Sequence, residues 1–201
     1  MNDCVYTIGE YMEPKQAIKM NKNFVHRFFP RMIEINGLVQ LRTFHRMRET
    51  FDTSRLEEVH IRIEWETQNI DNVIRVPVGV RKVLLDVNRV IRIELPDTVE
   101  ELTVVKYPYY QFLHLPDSIR KLTLGKNFNS IVSKWSENLE ELQLDGWCSG
   151  NGRTPVPINY LPASLKWITI NNDLDIEFGE WPEGLEEVNF MRTTHGYEET
   201  E

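Results

Sequence analysis

The sequence predicts an α/β solenoid: short parallel strands stack into one sheet on a concave face, with a small helical cap over the N-terminal end. Three observations carry this expectation. An apolar frame recurs at nearly constant spacing from residue 51 onward, apolar and polar residues alternate inside each copy, and residues 1–50 show helical rather than alternating spacing.

Residues 1–50 stand outside the frame. From Pro14 the apolar residues Ala17, Ile18, Phe24, Val25, Phe28 and Phe29 recur at helical spacing, and Pro30 ends the run. An earlier turn carries Val5, Ile8, Tyr11 and Met12, and a second helix is expected from about Val39 to Phe51 with Leu41, Phe44 and Met47 on one face. Their expected job is to cap the stack, whose first unit would otherwise expose an apolar edge.

The frame follows as "VPVGVRKVLL" from Val76, "LPDTVEELTV" from Leu95, "LPDSIRKLTL" from Leu115, "WSENLEELQL" from Trp135, "LPASLKWITI" from Leu161 and "WPEGLEEVNF" from Trp181, at steps of 19, 20, 20, 26 and 20 residues. A worn seventh copy, "DTSRLEEVHI" from Asp52, precedes them. Numbering each unit from its first buried-type residue, apolar side chains fall at places one, four and six, as in Ile119, Leu122 and Leu124, and a polar residue often stands at place nine, as in Asn88 and Asn127. Alternation over places four to six predicts a short strand with Leu-type residues inward. A unit of about twenty residues cannot bury that edge alone, so neighbours must stack in parallel. Proline just ahead of the strand suits an extended approach where no ladder bond is lost.

Charge follows the same frame. Place two reads Glu57, Arg81, Glu100, Arg120, Glu140, Lys166, Glu186, and place three reads Glu58, Lys82, Glu101, Lys121, Glu141, Trp167, Glu187. Stacked about 4.8 Å apart, columns of one sign would repel at every rung. Alternation converts each clash into an attraction and opposes slippage of one unit against the next. The same alternation is also what duplication of a two-unit block would leave behind.

Two segments depart from the frame. "DGWCSGNGRTPVPIN" (Asp145 to Asn159) has the glycine and proline density of an extruded loop, with Trp147 either exposed as an anchor beside Trp167 or tucked beneath its own loop. The end, "MRTTHGYEETE", is polar and acidic, and residues 192–201 are expected to form a tail. Without an apolar helix to close the stack, the edge near Val188 and Phe190 invites pairing with another chain.

The pattern L-x-x-L-x-L-x-x-N over roughly residues 52–191 resembles the leucine-rich repeat. Its Leu-Pro opening is similar to short repeats of some bacterial effectors and closer to FNIP-type repeats, whose Phe-Asn-x-x-Ile signature is present as Phe128-Asn129-Ser130-Ile131. "IGEYMEPKQAIKMNKNF" (Ile8 to Phe24) resembles the middle of an F-box, which implies that residues 5–30 could dock a ubiquitin-ligase adaptor instead of only capping the solenoid.

Composition narrows the function class. The chain has 201 residues and a net charge of -8, and residues 51–201 carry fifteen Lys/Arg against twenty-six Asp/Glu. That acidic body argues against nucleic-acid binding, which needs clustered positive charge. No basic-then-apolar leader and no long apolar run is present, so a soluble, cytoplasmic protein that touches no membrane is expected. Cys4 and Cys148 form no disulfide or metal-ligand pattern, and His26, His45, His60, His114 and His195 are scattered without ligand spacing. Neither a nucleophile elbow nor a phosphate loop is found, so no catalysis and no cofactor are expected. The expected function is binding of a protein partner on the strand faces. Candidate contacts are Lys82, Glu101, Lys121, Glu141, Trp167 and Glu187 at place three. Place five adds His60, Thr103, Thr123, Gln143, Thr169 and Asn189, and place seven adds Arg62, Asp145 and Asn171. Trp167, which interrupts the charge column, is the expected anchor, or else an aromatic that covers its neighbours.

Overall fold

A pleated segment with apolar residues at every second place has one oily side, and equivalent residues of neighbouring units can cover it. The computed structural model describes residues 6–7, 31–50, 54–63, 73–87, 92–107, 112–128, 131–145, 158–171 and 178–191. The chain runs β1 (Tyr6–Thr7), β2 (Met32–Asn36), α1 (Gly37–Thr50), β3 (Glu58–Ile63), β4 (Val73–Arg75), β5 (Lys82–Val87), β6 (Arg92–Glu94), β7 (Glu101–Tyr107) and β8 (Phe112–His114). It continues through β9 (Lys121–Phe128), β10 (Ile131–Lys134), β11 (Glu141–Leu144), β12 (Ile158–Tyr160), β13 (Trp167–Asn171), β14 (Phe178–Glu180) and β15 (Glu187–Met191).

β1, β2 and the odd-numbered strands from β3 to β15 form one nine-stranded sheet in that order. Every neighbouring pair is parallel. The register matches equivalent places: Glu58, Lys82, Glu101, Lys121, Glu141, Trp167 and Glu187 lie side by side along one column. The fold is therefore a parallel β-solenoid, one rung for each repeat unit.

Places four and six supply the core. Val59 and Ile61, Val83 and Leu85, Leu102 and Val104, Leu122 and Leu124, Leu142 and Leu144, and Ile168 and Ile170 are all buried, as are Leu56, Val80, Val99, Ile119, Leu139 and Leu165 at place one. Each such aliphatic side chain contributes about 1.5–3 kcal/mol on leaving water.

Three backbone devices lock the units together. The place-two carbonyl of each unit accepts two N–H groups from the next: Glu100 O from Arg120 at 2.8 Å and Lys121 at 3.0 Å, Arg120 O from Glu140 at 2.8 Å and Glu141 at 2.9 Å. This clamp runs from Arg31 to Glu187. The residue at the proline place accepts from place one in a tight turn, as when Pro96 O takes the Val99 N–H at 3.1 Å. In the turn from Pro77 to Val80 the third residue is Gly79 with φ +100°, a conformation other side chains resist. Finally, hydroxyls join neighbouring turns: Thr98 Oγ1 donates to Val80 O (2.9 Å), Ser118 Oγ to Val99 O (2.7 Å) and Ser164 Oγ to Leu139 O (2.8 Å). Where proline is replaced by Ser136, that fully buried hydroxyl reaches Ile119 O at 2.7 Å and Asp117 O at 3.0 Å.

The structure departs from expectation in four places. The sheet continues beyond the repeat frame: β2 is a full rung with Ile33 and Ile35 buried, and β1 pairs with Ile33 and Glu34. Arg31 extends the place-two alternation one step further, because its carbonyl takes the Glu57 and Glu58 N–H groups. Second, each long coil also holds a back strand of three or four residues, and these pair in twos: β4 with β6, β8 with β10, β12 with β14. The signature Phe128-Asn129-Ser130-Ile131 is the link from front strand β9 to back strand β10.

Third, among the described residues the expected α/β class gives way to an almost wholly β one, with α1 the one helix. In the units from Leu95 to His114 and from Leu115 to Lys134, two strands and a turn use up most of the chain and leave too little for a helix. The helix expected over Val39 to Phe51 is found as Gly37–Thr50; the one expected between Pro14 and Pro30 lies outside the described residues. Rather than lying over the outer edge of the first rung, α1 is the crossover between β2 and β3, and it buries Leu41 and Phe44 in the common core. Gly37 (φ +82°) makes its sharp entry, and the Gln40 side-chain oxygen accepts the Asn36 N–H at 2.7 Å. Fourth, β9 bulges against β7, between the pairs Val104 with Leu124 and Lys106 with Asn127. Gly125 sits there because a Cβ would lie 2.9 Å from the Val105 backbone.

Candidate functional site

Places three and five of every rung point away from the core, so the sheet presents two parallel columns to solvent. Within place three Lys82 Nζ meets Glu101 at 2.9 Å and Lys121 Nζ meets Glu141 at 2.7 Å. At place two Arg120 meets Glu140 at 3.5 Å, and Lys166 approaches the same carboxylate at 3.6 Å. Arg31 and Glu57, 3.8 Å apart, begin that column. At these steps the alternating signs of the sequence are realised as ion pairs across rungs. Glu101 holds the Lys82 ammonium above its ordinary range, first by accepting its hydrogen bond and then by its charge.

Place five carries His60 and Leu84 on the first two of these rungs and neutral polar side chains from Thr103 onward. Thr103 stands beside Thr123, Thr123 beside Gln143, Gln143 beside Thr169 and Thr169 beside Asn189. Hydrogen bonds along single strands fix several of them: Gln143 Nε2 donates to Asp145 at 2.7 Å, Asn189 Nδ2 to Glu187 at 3.1 Å, and His60 Nε2 lies 2.6 Å from the Glu58 carboxylate. Arg62 spans rungs, 3.3 Å from Asp86 and 4.0 Å from Glu34.

Trp167 is half-buried at place three, between Glu141 and Glu187 in register. Lys166 Nζ lies 5.5 Å from its ring centroid, a cation–π contact that holds the ring near the surface. One candidate is corrected: Asn171 is 4% exposed and belongs to the interior. Alternation holds at place seven in β3 and β5, where Arg62 and Asp86 face outward, but fails at the last residue of β13 and at the bulge of β9, where Gly125 is buried too. Trp147 lies outside the described residues.

Sequence reasoning did not anticipate a groove along the edge where the strands begin. It encloses about 450 Å³ and is lined by Gly79, Arg81, Asp97, Thr98, Glu100, Ser118, Arg120 and Asn138. Its walls are the turn hydroxyls and the alternating place-two charges. The recurrent Thr or Ser before place one was the available signal. Ser118 and Thr98 already donate to carbonyls of the preceding unit, so the groove's hydroxyls serve the stack.

Among the described residues, no group of three His, Cys, Asp or Glu side chains is placed to hold a metal ion, and no helix is long and apolar enough to cross a membrane. No protein-family model matches the chain, and comparison with curated proteins finds no match.

Proposed function

We propose that the chain is a non-enzymatic interaction module of the leucine-rich-repeat type, nearest the short FNIP-like form, which takes a protein partner on the outward face of its sheet. The observation that carries the proposal is the register: seven rungs line charged side chains up at place three, with Trp167 seated among the carboxylates, and polar ones at place five, interrupted by Leu84. Such a face offers a partner alternating stripes of charge, which set orientation more than affinity, and one aromatic side chain to anchor it. Its cytoplasmic placement rests on the sequence alone. The test is affinity capture with the full chain, identification of what is retained, and comparison of the Trp167→Ala variant. Loss of retention with an unchanged melting temperature is expected. Retention that survives both Trp167→Ala and Lys121→Glu would place the interface elsewhere.

The alternative, a receptor that joins a ubiquitin-ligase adaptor to a target, rests on the F-box resemblance of Ile8 to Phe24, outside the described residues. α1 turns Leu41 and Phe44 into the core, so that apolar face is already occupied.

A further inference from the structure

The last rung breaks the burial rule that the rungs from β2 to β13 obey. At place six Ile170 is 3% exposed, whereas Phe190, next to it in register, is 64% exposed. Val188 at place four is half-buried and Met191 is exposed. β15 ends the sheet, so its outer edge carries backbone N–H and C=O groups paired to no strand among the described residues. At the opposite end β1 already covers β2 by pairing with Ile33 and Glu34.

We infer that β15 is a self-association edge whose occupant is β15 of a second copy, added antiparallel about a two-fold axis through Asn189. This goes beyond the proposed partner face, which lies on the broad side of the sheet rather than at its end. The strand is self-complementary in that register. Val188 meets Phe190 twice on the core side, so the two exposed apolar ends cover each other and the two cores become continuous. On the outward side Glu187 meets Met191 twice, and Asn189 meets Asn189, an amide pair able to donate and accept in both directions. The two Glu187 carboxylates lie about 14 Å apart along the strands at ~3.4 Å rise per residue, beyond a Debye length of ~8 Å. A parallel joint between the same strands would instead put Glu187 opposite Glu187. Head-to-tail growth would have to add β15 to β1, a strand of two residues that matches only part of the five in β15. The two-fold joint closes on itself and yields a dimer and nothing larger.

The test uses the full chain in sedimentation velocity from ~2 to ~200 µM, the range suited to a small interface. The expected result is a shift from the monomer mass of 23.8 kDa to twice that value, with no larger species. Phe190→Lys should remain monomeric at all concentrations with an unchanged melting temperature, because its ring is exposed in the single chain. Asn189→Cys should form, under mild oxidation, a dimer linked through position 189 by peptide mapping. That readout stands even if Phe190→Lys folds poorly. The monomer mass at every concentration, a series of masses beyond the dimer, dimers that form only after residues 192–201 are removed, or absence of the linkage at position 189 would each overturn the inference.

Discussion

Replacing Arg120 and Lys121 together by glutamate tests whether the alternating columns hold the stack. The change breaks two contacts, Arg120 to Glu140 at 3.5 Å and Lys121 to Glu141 at 2.7 Å. It also sets each new carboxylate between two others, Glu100 and Glu140 at place two and Glu101 and Glu141 at place three. An exposed ion pair contributes about 0.2–1 kcal/mol, and a like-charge neighbour across strands costs a few tenths to about 1 kcal/mol. These side chains are roughly half exposed, so the low half of both ranges applies, and the sum is about 2 kcal/mol. For a chain of this length that lowers the melting temperature by about 4–8 °C. Thermal unfolding by circular dichroism at ~0.01 M and ~1 M salt separates charge from packing, since the Debye length falls from ~30 Å to ~3 Å. The drop should shrink by more than half at high salt. An equal drop at both salts would assign the effect to packing, and no drop at either would show that the columns do not stabilise the stack.

Other outcomes follow from single positions. Gly125→Ala should cost about 1–3 kcal/mol in urea unfolding, because the added methyl meets backbone at 2.9 Å and the bulge cannot yield without breaking the ladder. Ser136→Ala should cost about 1–2 kcal/mol, since it leaves Ile119 O and Asp117 O without the buried hydroxyl. For Lys82 the pKa is raised above 10.5 in the folded chain, so its contribution is fully present below that pH and is lost as pH rises through the folded value. Lys82→Met should therefore melt below the wild type at pH 8, and the two melting curves should converge in strong alkali.

The front sheet was legible because one physical demand repeated seven times. Val83 and Leu85, Leu122 and Leu124, or Ile168 and Ile170 each need a neighbour on the same side, and the spacing of about twenty residues said where it lay. The ion pairs were legible for the same reason, since register follows from the frame. What escaped was short or unframed. The back strands Val73–Arg75 and Phe112–His114 have three residues each, too few for a period of two to show. β2 lacks the Leu-Pro opening, so Met32–Asn36 went unassigned between the two expected helices, although Ile33, Ile35 and the sign of Arg31 obey the rules of the sheet. Asn171 was misplaced because alternation was carried one residue past the point where the strand turns. The roles of Ser136 and Thr98 were not anticipated, since the carbonyl each donates to lies in another unit, and only the recurrence of Thr or Ser ahead of place one hinted at it.

The even rhythm of the charge columns and the pairwise matching of the back strands together make the length of this molecule a question of parity. Excising one unit, Leu95 to His114, would bring Arg81 against Arg120 and leave a back strand widowed. Excising two, Leu95 to Lys134, would bring Arg81 against Glu140 and preserve the sequence of signs. Lineages that lengthen or shorten such a stack by duplication should therefore move in steps of about forty residues. Odd-numbered variants should survive only where a compensating reversal has arisen beside the seam.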